Sequence, residues 1–183
     1  MRNLAFLLLL LPLTAIADSK IVRNTMGGDI DVPSAPNGAV LRTMGGDIRL
    51  ESSGGDVVAK TMGGNIRVRR LSGSINAGTM GGNVDIEVFG AGSCRSIQAS
   101  SMGGFLEVTL PREFAGDFEI ELEQDDGGRL HRIVSDVPLH ITESSRYRWF
   151  RKVRVLTATG RSGSGANRVR LSTIGGDITI RTR

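Results

Sequence analysis

From residue 25 to 110 the chain sets apolar residues two apart around a polar one: Ile30 and Val32, Ile48 and Leu50, Ile66 and Val68, Val84 and Ile86, Leu106 and Val108. A period of two places alternate side chains on opposite faces, so each burst predicts a short strand with one buried face. Ile178 and Ile180 repeat the pattern near the far end. Every burst follows the same tetrad, TMGG at 25, 43, 61 and 79, spaced 18 residues apart, then SMGG at 101 and TIGG at 173. A fainter copy lies half a period away, where Val57 and Ala59, Ile75 and Ala77, and Ile97 and Ala99 hold the equivalent positions. One 18-residue unit therefore contains two corner-and-strand halves.

Such a unit cannot fold alone. It buries about six side chains at roughly 1.5–3 kcal/mol each, against an ordering cost of about 1.5 kcal/mol per residue. Stacked at roughly 4.8 Å, every strand bonds to those above and below, and each inward position becomes a ladder of like residues. The expected fold is all-β, a single-domain parallel β-solenoid over 18–183, with regular coils at 25–110, irregular coils at 111–161 and closing coils at 162–183. At the corners the Gly-Gly pair is expected to supply positive φ, and the following Asp or Asn to tolerate the bend. Met26, Met44, Met62, Met80 and Met102 are expected to stack as one interior file, with Thr25, Thr43, Thr61 and Thr79 as a second file beside it. Two outward columns, Glu51-Arg69-Glu87 and Asp31-Arg49-Arg67-Asp85-Glu107, read as a solvated face whose ion pairs contribute little.

The tetrad lapses from Pro111 to Arg161, although FEIEL (118–122), PLHIT (138–142) and VRVLTATG (153–160) still alternate. Ser101 and Thr173 are 72 residues apart, four times 18, so the segment is expected to form whole coils with excursions at 125–128 and 144–152. The four extra residues between Thr79 and Ser101 fall in FGAGSCR at 89–95, a bulging corner that carries Cys94. The last strand is expected to be an open edge, with Arg181 and Arg183 as charges against end-to-end pairing.

Composition narrows the picture. Arg2, the run LAFLLLLLPL and the triplet Ala15-Ile16-Ala17 predict a signal peptide cleaved after Ala17, leaving an exported chain that is periplasmic, on the cell surface or secreted. The run is about half the roughly 20 apolar residues of a spanning helix, so the mature chain is expected to have no transmembrane segment. Loss of the leader removes Arg2 and turns a formal charge of +4 into +3, with both signs mixed along the chain, which argues against nucleic acid as a partner. One Cys allows no internal disulfide, and with two His it cannot complete a Cys/His metal site. Neither His131 nor His140 sits in a motif that would activate a nucleophile. The GGD triplets lack the third Gly and the spacing of the calcium nonapeptide, and no Lys-Ser/Thr follows them as in a phosphate loop. No catalytic residue, metal or cofactor is expected. The apolar signal comes in pairs every nine residues, which sets the chain apart from the six-residue period of left-handed acyltransferase helices.

The segment SSRYRWFRK at 144–152 holds the only Tyr and the only Trp of the chain among basic residues. Arg146, Tyr147, Arg148, Trp149, Arg151 and Lys152 are the candidate binding residues, since guanidinium groups and aromatic rings together hold sugars, anionic polymers or lipid headgroups. The GGDI-type repeats behind a leader, PREF at 111–114, SDVPL at 135–139 and the closing GSGANRVRLSTIGGDITI resemble, in that order, a bacterial adhesin-type family of β-strand-repeat domains over residues 25–183. The resemblance implies an all-β envelope protein and assigns no catalytic or binding residues. Three readings follow: a non-enzymatic envelope module, structural or adhesin-like; a glycan or anionic-polymer binder acting through 144–152; and, least favoured, a carbohydrate-active enzyme using outward carboxylates. The partners expected are envelope polysaccharide, lipid headgroups or another envelope protein, together with end-to-end self-association.

Overall fold

The computed structural model describes residues 19–90, 96–125, 129–148 and 151–183, with the backbone alone at Asp125, Arg148 and Arg151. The expected leader at 1–17, Cys94, residues 126–128 of the expected excursion and Trp149 lie outside the described residues. Among the described residues all regular structure is strand, arranged in two sheets. The first runs in the order β1 (Ile21–Asn24), β3 (Ala39–Arg42), β5 (Val57–Lys60), β7 (Ile75–Thr79), β9 (Ser96–Ser101), β15 (Asn167–Ile174), β11 (Gly116–Asp125), β14 (Arg151–Ser162), β13 (His140–Arg148). The second runs β12 (Ile133–Ser135), β16 (Ile178–Thr182), β10 (Leu106–Leu110), β8 (Val84–Val88), β6 (Ile66–Leu71), β4 (Ile48–Leu50), β2 (Ile30–Val32). Successive coils contribute one strand to each sheet, and the pairing is parallel, with Ile30, Ile48, Ile66, Val84, Leu106 and Ile178 in register. Those side chains and their partners Leu41, Val57, Ile75, Ile97 and Leu171 fill the core between the sheets. The parallel β-solenoid read from the period is the observed fold, with sheets that do not close on one another.

Chemistry at the corners explains the tetrad, and it differs from expectation in two respects. The threonines are inside as foreseen except Thr25 of the end coil, which is half-buried: Thr43, Thr61 and Thr79 are buried, as are Ser101 and Thr173. Each hydroxyl donates to the carbonyl of the second glycine one coil below, as Thr61 Oγ1 does to Gly46 at 3.0 Å and Thr79 Oγ1 to Gly64 at 2.9 Å. The same oxygen accepts the N–H of the second glycine of its own coil, Gly64 to Thr61 at 3.2 Å and Gly82 to Thr79 at 3.1 Å. The glycines are not there for positive φ, which within these pairs occurs only at Gly175. They are there for close approach. A Cβ on Gly46, Gly64, Gly82, Gly104 or Gly176 would overlap the carbonyl of the glycine below, whereas Gly45, Gly63, Gly81 and Gly103 have room. The Asp or Asn that follows carries a further ladder: Asp47 Oδ1 accepts Asn65 N–H at 2.8 Å, Asn65 Oδ1 accepts Asn83 N–H at 2.9 Å, and Asn83 Oδ1 accepts Phe105 N–H at 2.9 Å.

The methionines are on the outside. Met26 is 81 % exposed, and Met44, Met62, Met80 and Met102 lie between 48 and 52 %. They do follow one another up the stack, since the N–H of Met80 donates to Met62 O and that of Gly63 to Met44 O. The expected file exists, but it runs along an exterior ridge. Parity is the reason. Leu41, Ala59, Ala77 and Ala99 point inward, so the Ser or Thr two residues later does as well, and the Met after it must point out.

The irregular segment is not a set of whole coils. After β10 the chain forms β11, crosses to the three-residue β12, and returns as the antiparallel hairpin β13–β14, with β14 also antiparallel to β11. The closing coil then inserts below, with β15 between β9 and β11 and β16 between β10 and β12. Thr173, 72 residues beyond Ser101 in sequence, sits directly on it and donates to Gly104 O at 3.0 Å. The last strand is therefore paired on both sides and is not an open edge. Arg181 pairs with Glu107 at 3.3 Å and Arg183 with Glu87, so both arginines tie the closing coil to its neighbours.

Candidate functional site

The segment 144–152 belongs to an arm of the first sheet rather than to an irregular excursion. β13 and β14 pair from His140↔Thr159 to Arg148↔Arg151, and β13 is the outermost strand. Every residue from His140 to Tyr147 is exposed, so both faces of this strand meet solvent, and Tyr147 reaches 77 % exposure. The hairpin brings Tyr147 opposite Lys152 and Arg146 opposite Val153. Arg146 lies 3.7 Å from Glu121 of β11, and Arg154 lies 2.9 Å from Glu143 across the hairpin. Trp149 and the side chains of Arg148 and Arg151 fall outside the described residues, though the backbones of both arginines are in the ladder.

Charge gathers at the same place. Between 143 and 154 stand Arg146, Arg148, Arg151, Lys152 and Arg154 against Glu143, a formal +4, which equals the formal charge of the whole chain. An equal +4 stands at 57–84, where Lys60, Arg67, Arg69 and Arg70 meet no carboxylate in sequence, so the arm is one of two basic stretches. Counting charge in windows along the sequence would have revealed this and added Arg154 to the candidate residues; averaging over the chain hid it.

The outward face of the second sheet bears the longer predicted column in register, Asp31↔Arg49↔Arg67↔Asp85↔Glu107, whereas the shorter one, Glu51-Arg69-Glu87, meets the irregularity between Val68 and Leu71, and Glu87 is buried rather than solvated. Its carboxylates are engaged. Arg49 lies 3.3 Å from Asp29, 3.6 Å from Asp31 and 2.8 Å from Asp47. Arg69 bridges Asp85 at 3.3 Å and Glu87 at 2.9 Å. The Arg69 hydrogen bond, with Arg183 adding its charge, holds the Glu87 carboxyl below the usual carboxylate range. The Asp47 N–H and Arg49 do the same for Asp29. Arg161, at 2.6 Å, holds Asp117 down on the first sheet.

His131 and His140 stand apart. His140 opens the exposed strand β13, whereas His131 is largely buried with Nδ1 3.3 Å from Asp177 Oδ1. That oxygen also accepts the Arg132 N–H at 3.0 Å, and Gln124 Oε1 accepts the His131 N–H at 2.6 Å. The pair thus continues the Asp/Asn ladder into the cap, and the cavity beside it, about 300 Å³, is lined by Glu123, Gln124, Arg129, Val153, Ile174 and Gly175 with no hydroxyl or thiol. Among the described residues no three His, Cys, Asp or Glu converge as metal ligands, and no helix is long and apolar enough to cross a membrane.

A second surface was not anticipated. The methionine ridge borders an open groove of about 690 Å³ on the outer face of the first sheet, floored by the threonines and flanked by Arg42 and Lys60 towards one end and by Gly78 and Ser100 towards the other. No known protein family, curated protein or solved structure matches the chain.

Proposed function

We propose that this is an exported cell-envelope protein that acts by binding and not by catalysis, with the coil stack as a stiff body and the β13–β14 arm as its contact surface. The observation that carries the reading is the coincidence of basic residues, exposure and aromatic surface on one arm, where Arg146, Arg148, Arg151, Lys152 and Arg154 stand around the most exposed aromatic side chain described, Tyr147. On the outer face of the second sheet arginines and carboxylates neutralise one another from coil to coil, which suits a structural face. An arm of this kind fits a polyanionic envelope polymer, an acidic polysaccharide or a phosphorylated glycolipid. Guanidinium groups contact phosphate or carboxylate in bidentate fashion, and a flat ring covers the apolar face of a sugar. The adhesin-type resemblance agrees with this reading and supplies no ligand of its own.

The test is retention of the purified mature protein on lipopolysaccharide and on cell-wall polymer, compared with the double variant Arg146→Ala/Tyr147→Ala. Loss of roughly tenfold in affinity, steeper at low salt, is expected from one exposed charge contact and one ring. Equal retention of the two proteins, with unchanged circular dichroism, would remove the arm from the function and leave the structural reading alone.

A further inference from the structure

The exterior file of methionines plays no part in the core. Half-exposed side chains bury little, and any residue would satisfy the backbone there. Strand positions on the outer faces change from coil to coil, Asp31, Arg49, Arg67, Asp85, Glu107 in one column, yet the corner position remains Met in five coils. At the sixth corner it becomes Ile174, which is half-buried and sits opposite Glu123 of the neighbouring β11. A branched hydrocarbon stands where packing sets the requirement, and a thioether where solvent does.

We propose that Met62, Met80 and Met102 form a binding site for a soft monovalent cation, copper(I) or silver(I), held by thioether sulfurs alone. Thioethers are neutral, polarisable ligands that favour soft ions over calcium and magnesium. Counting Cys and His could not reveal such a site. Spacing is favourable: successive coils lie about 4.8 Å apart, a gap that long, flexible thioether side chains can close around one ion. Thr79 and Ser101 are paired in register, which puts Met80 and Met102 on adjacent strands, and the Met80 N–H bonds to Met62 O at 3.2 Å. Three flexible side chains at 48–52 % exposure can therefore reach one ion without disturbing the coil.

Charge fixes the position along the ridge. Two residues before each methionine, on the same outward face, stand Arg42, Lys60, Gly78 and Ser100 in turn. Arg42 and Lys60 put cations beside Met44 and Met62, whereas Met80 and Met102 have neutral neighbours, so the ion is placed between these two and Met62 reaches it from the coil below. The inference rests on the corner geometry and is independent of what the arm binds.

The experiment titrates the mature protein carrying Cys94→Ser, which removes the thiol as a competing ligand, with silver nitrate by calorimetry and with copper(I) against a chromogenic chelator under reducing, anaerobic conditions. One ion per chain is expected. Because a thioether loses no proton on binding, affinity at about pH 5.5 should match that at about pH 7.5, unlike a His or Cys site. In the same background Met62→Leu/Met80→Leu/Met102→Leu keeps apolarity and should lose roughly 100-fold or more in affinity, whereas Met26→Leu/Met44→Leu should retain it. Absence of binding, equal binding by the triple Leu variant, or a tenfold loss on acidification would each overturn the proposal.

Discussion

Adjacent glycines in the tetrad should respond in opposite ways to the same methyl group. At Gly64 an added Cβ would overlap the Gly46 carbonyl and stand 2.8 Å from the Asp47 nitrogen, both backbone atoms of the coil below, so no side chain can move aside. Relief requires the two coils to part at that corner. Three hydrogen bonds run through it: Thr61 Oγ1 to Gly46 O at 3.0 Å, Gly64 N–H to Thr61 Oγ1 at 3.2 Å, and Asn65 N–H to Asp47 Oδ1 at 2.8 Å. Overpacking costs about 1–3 kcal/mol and each weakened bond about 0.5–1.5 kcal/mol, so Gly64→Ala should lose roughly 3–6 kcal/mol, a large share of the roughly 5–15 kcal/mol typical of a domain. At Gly63 the nearest atoms, the Gly45 and Met44 carbonyl oxygens, are 3.9 Å from the Cβ position, and φ is not in the left-handed region. Gly63→Ala should be neutral or stabilise by about 0.4–1 kcal/mol through the unfolded chain. Urea unfolding followed by circular dichroism in the strand band measures both. If the two variants unfold within about 0.5 kcal/mol of each other, close coil-to-coil approach is not what requires the second glycine.

Two further outcomes follow from the stack. Ending the chain after Gly176 removes β16 from between β10 and β12, so it should abolish cooperative melting, while removal of residues 19–24, which takes away only the edge strand β1, should lower the melting temperature by a few degrees; near-equal melting curves would argue against the inserted closing coil. Glu87, whose carboxyl is held below its ordinary value of 4.5 by Arg69 and Arg183, contributes stability that is complete above that value and is lost as pH falls through the lowered folded value. Glu87→Gln should therefore be less stable at neutral pH and lose less than the parent between about pH 6 and pH 3; an identical acid loss in urea midpoints would contradict the pairing.

Much of this protein is legible in its letters. The period of 18 and the i, i+2 alternation determine the strands, their parallel register over 25–110 and the inward threonines, because a parallel ladder that repeats like residues admits one alignment. Parity also contained the outward direction of Met26 to Met102, but the apolar character of methionine obscured it, since hydrophobicity describes what a residue tolerates and position decides where it points. Glycine's role at the corner was misassigned for a related reason: φ is a local property, and overlap with a carbonyl 18 residues away is not. The cap lay beyond sequence reasoning. Coils offer nearly interchangeable faces, so nothing local to Thr173 says that it stacks on Ser101 rather than on the strands that precede it in the chain. Only the assembled sheets, in which β11 and β12 cover the closing coil and β14 turns antiparallel beside them, settle that order, because long-range pairing is selected by the total of contacts and not by any one segment.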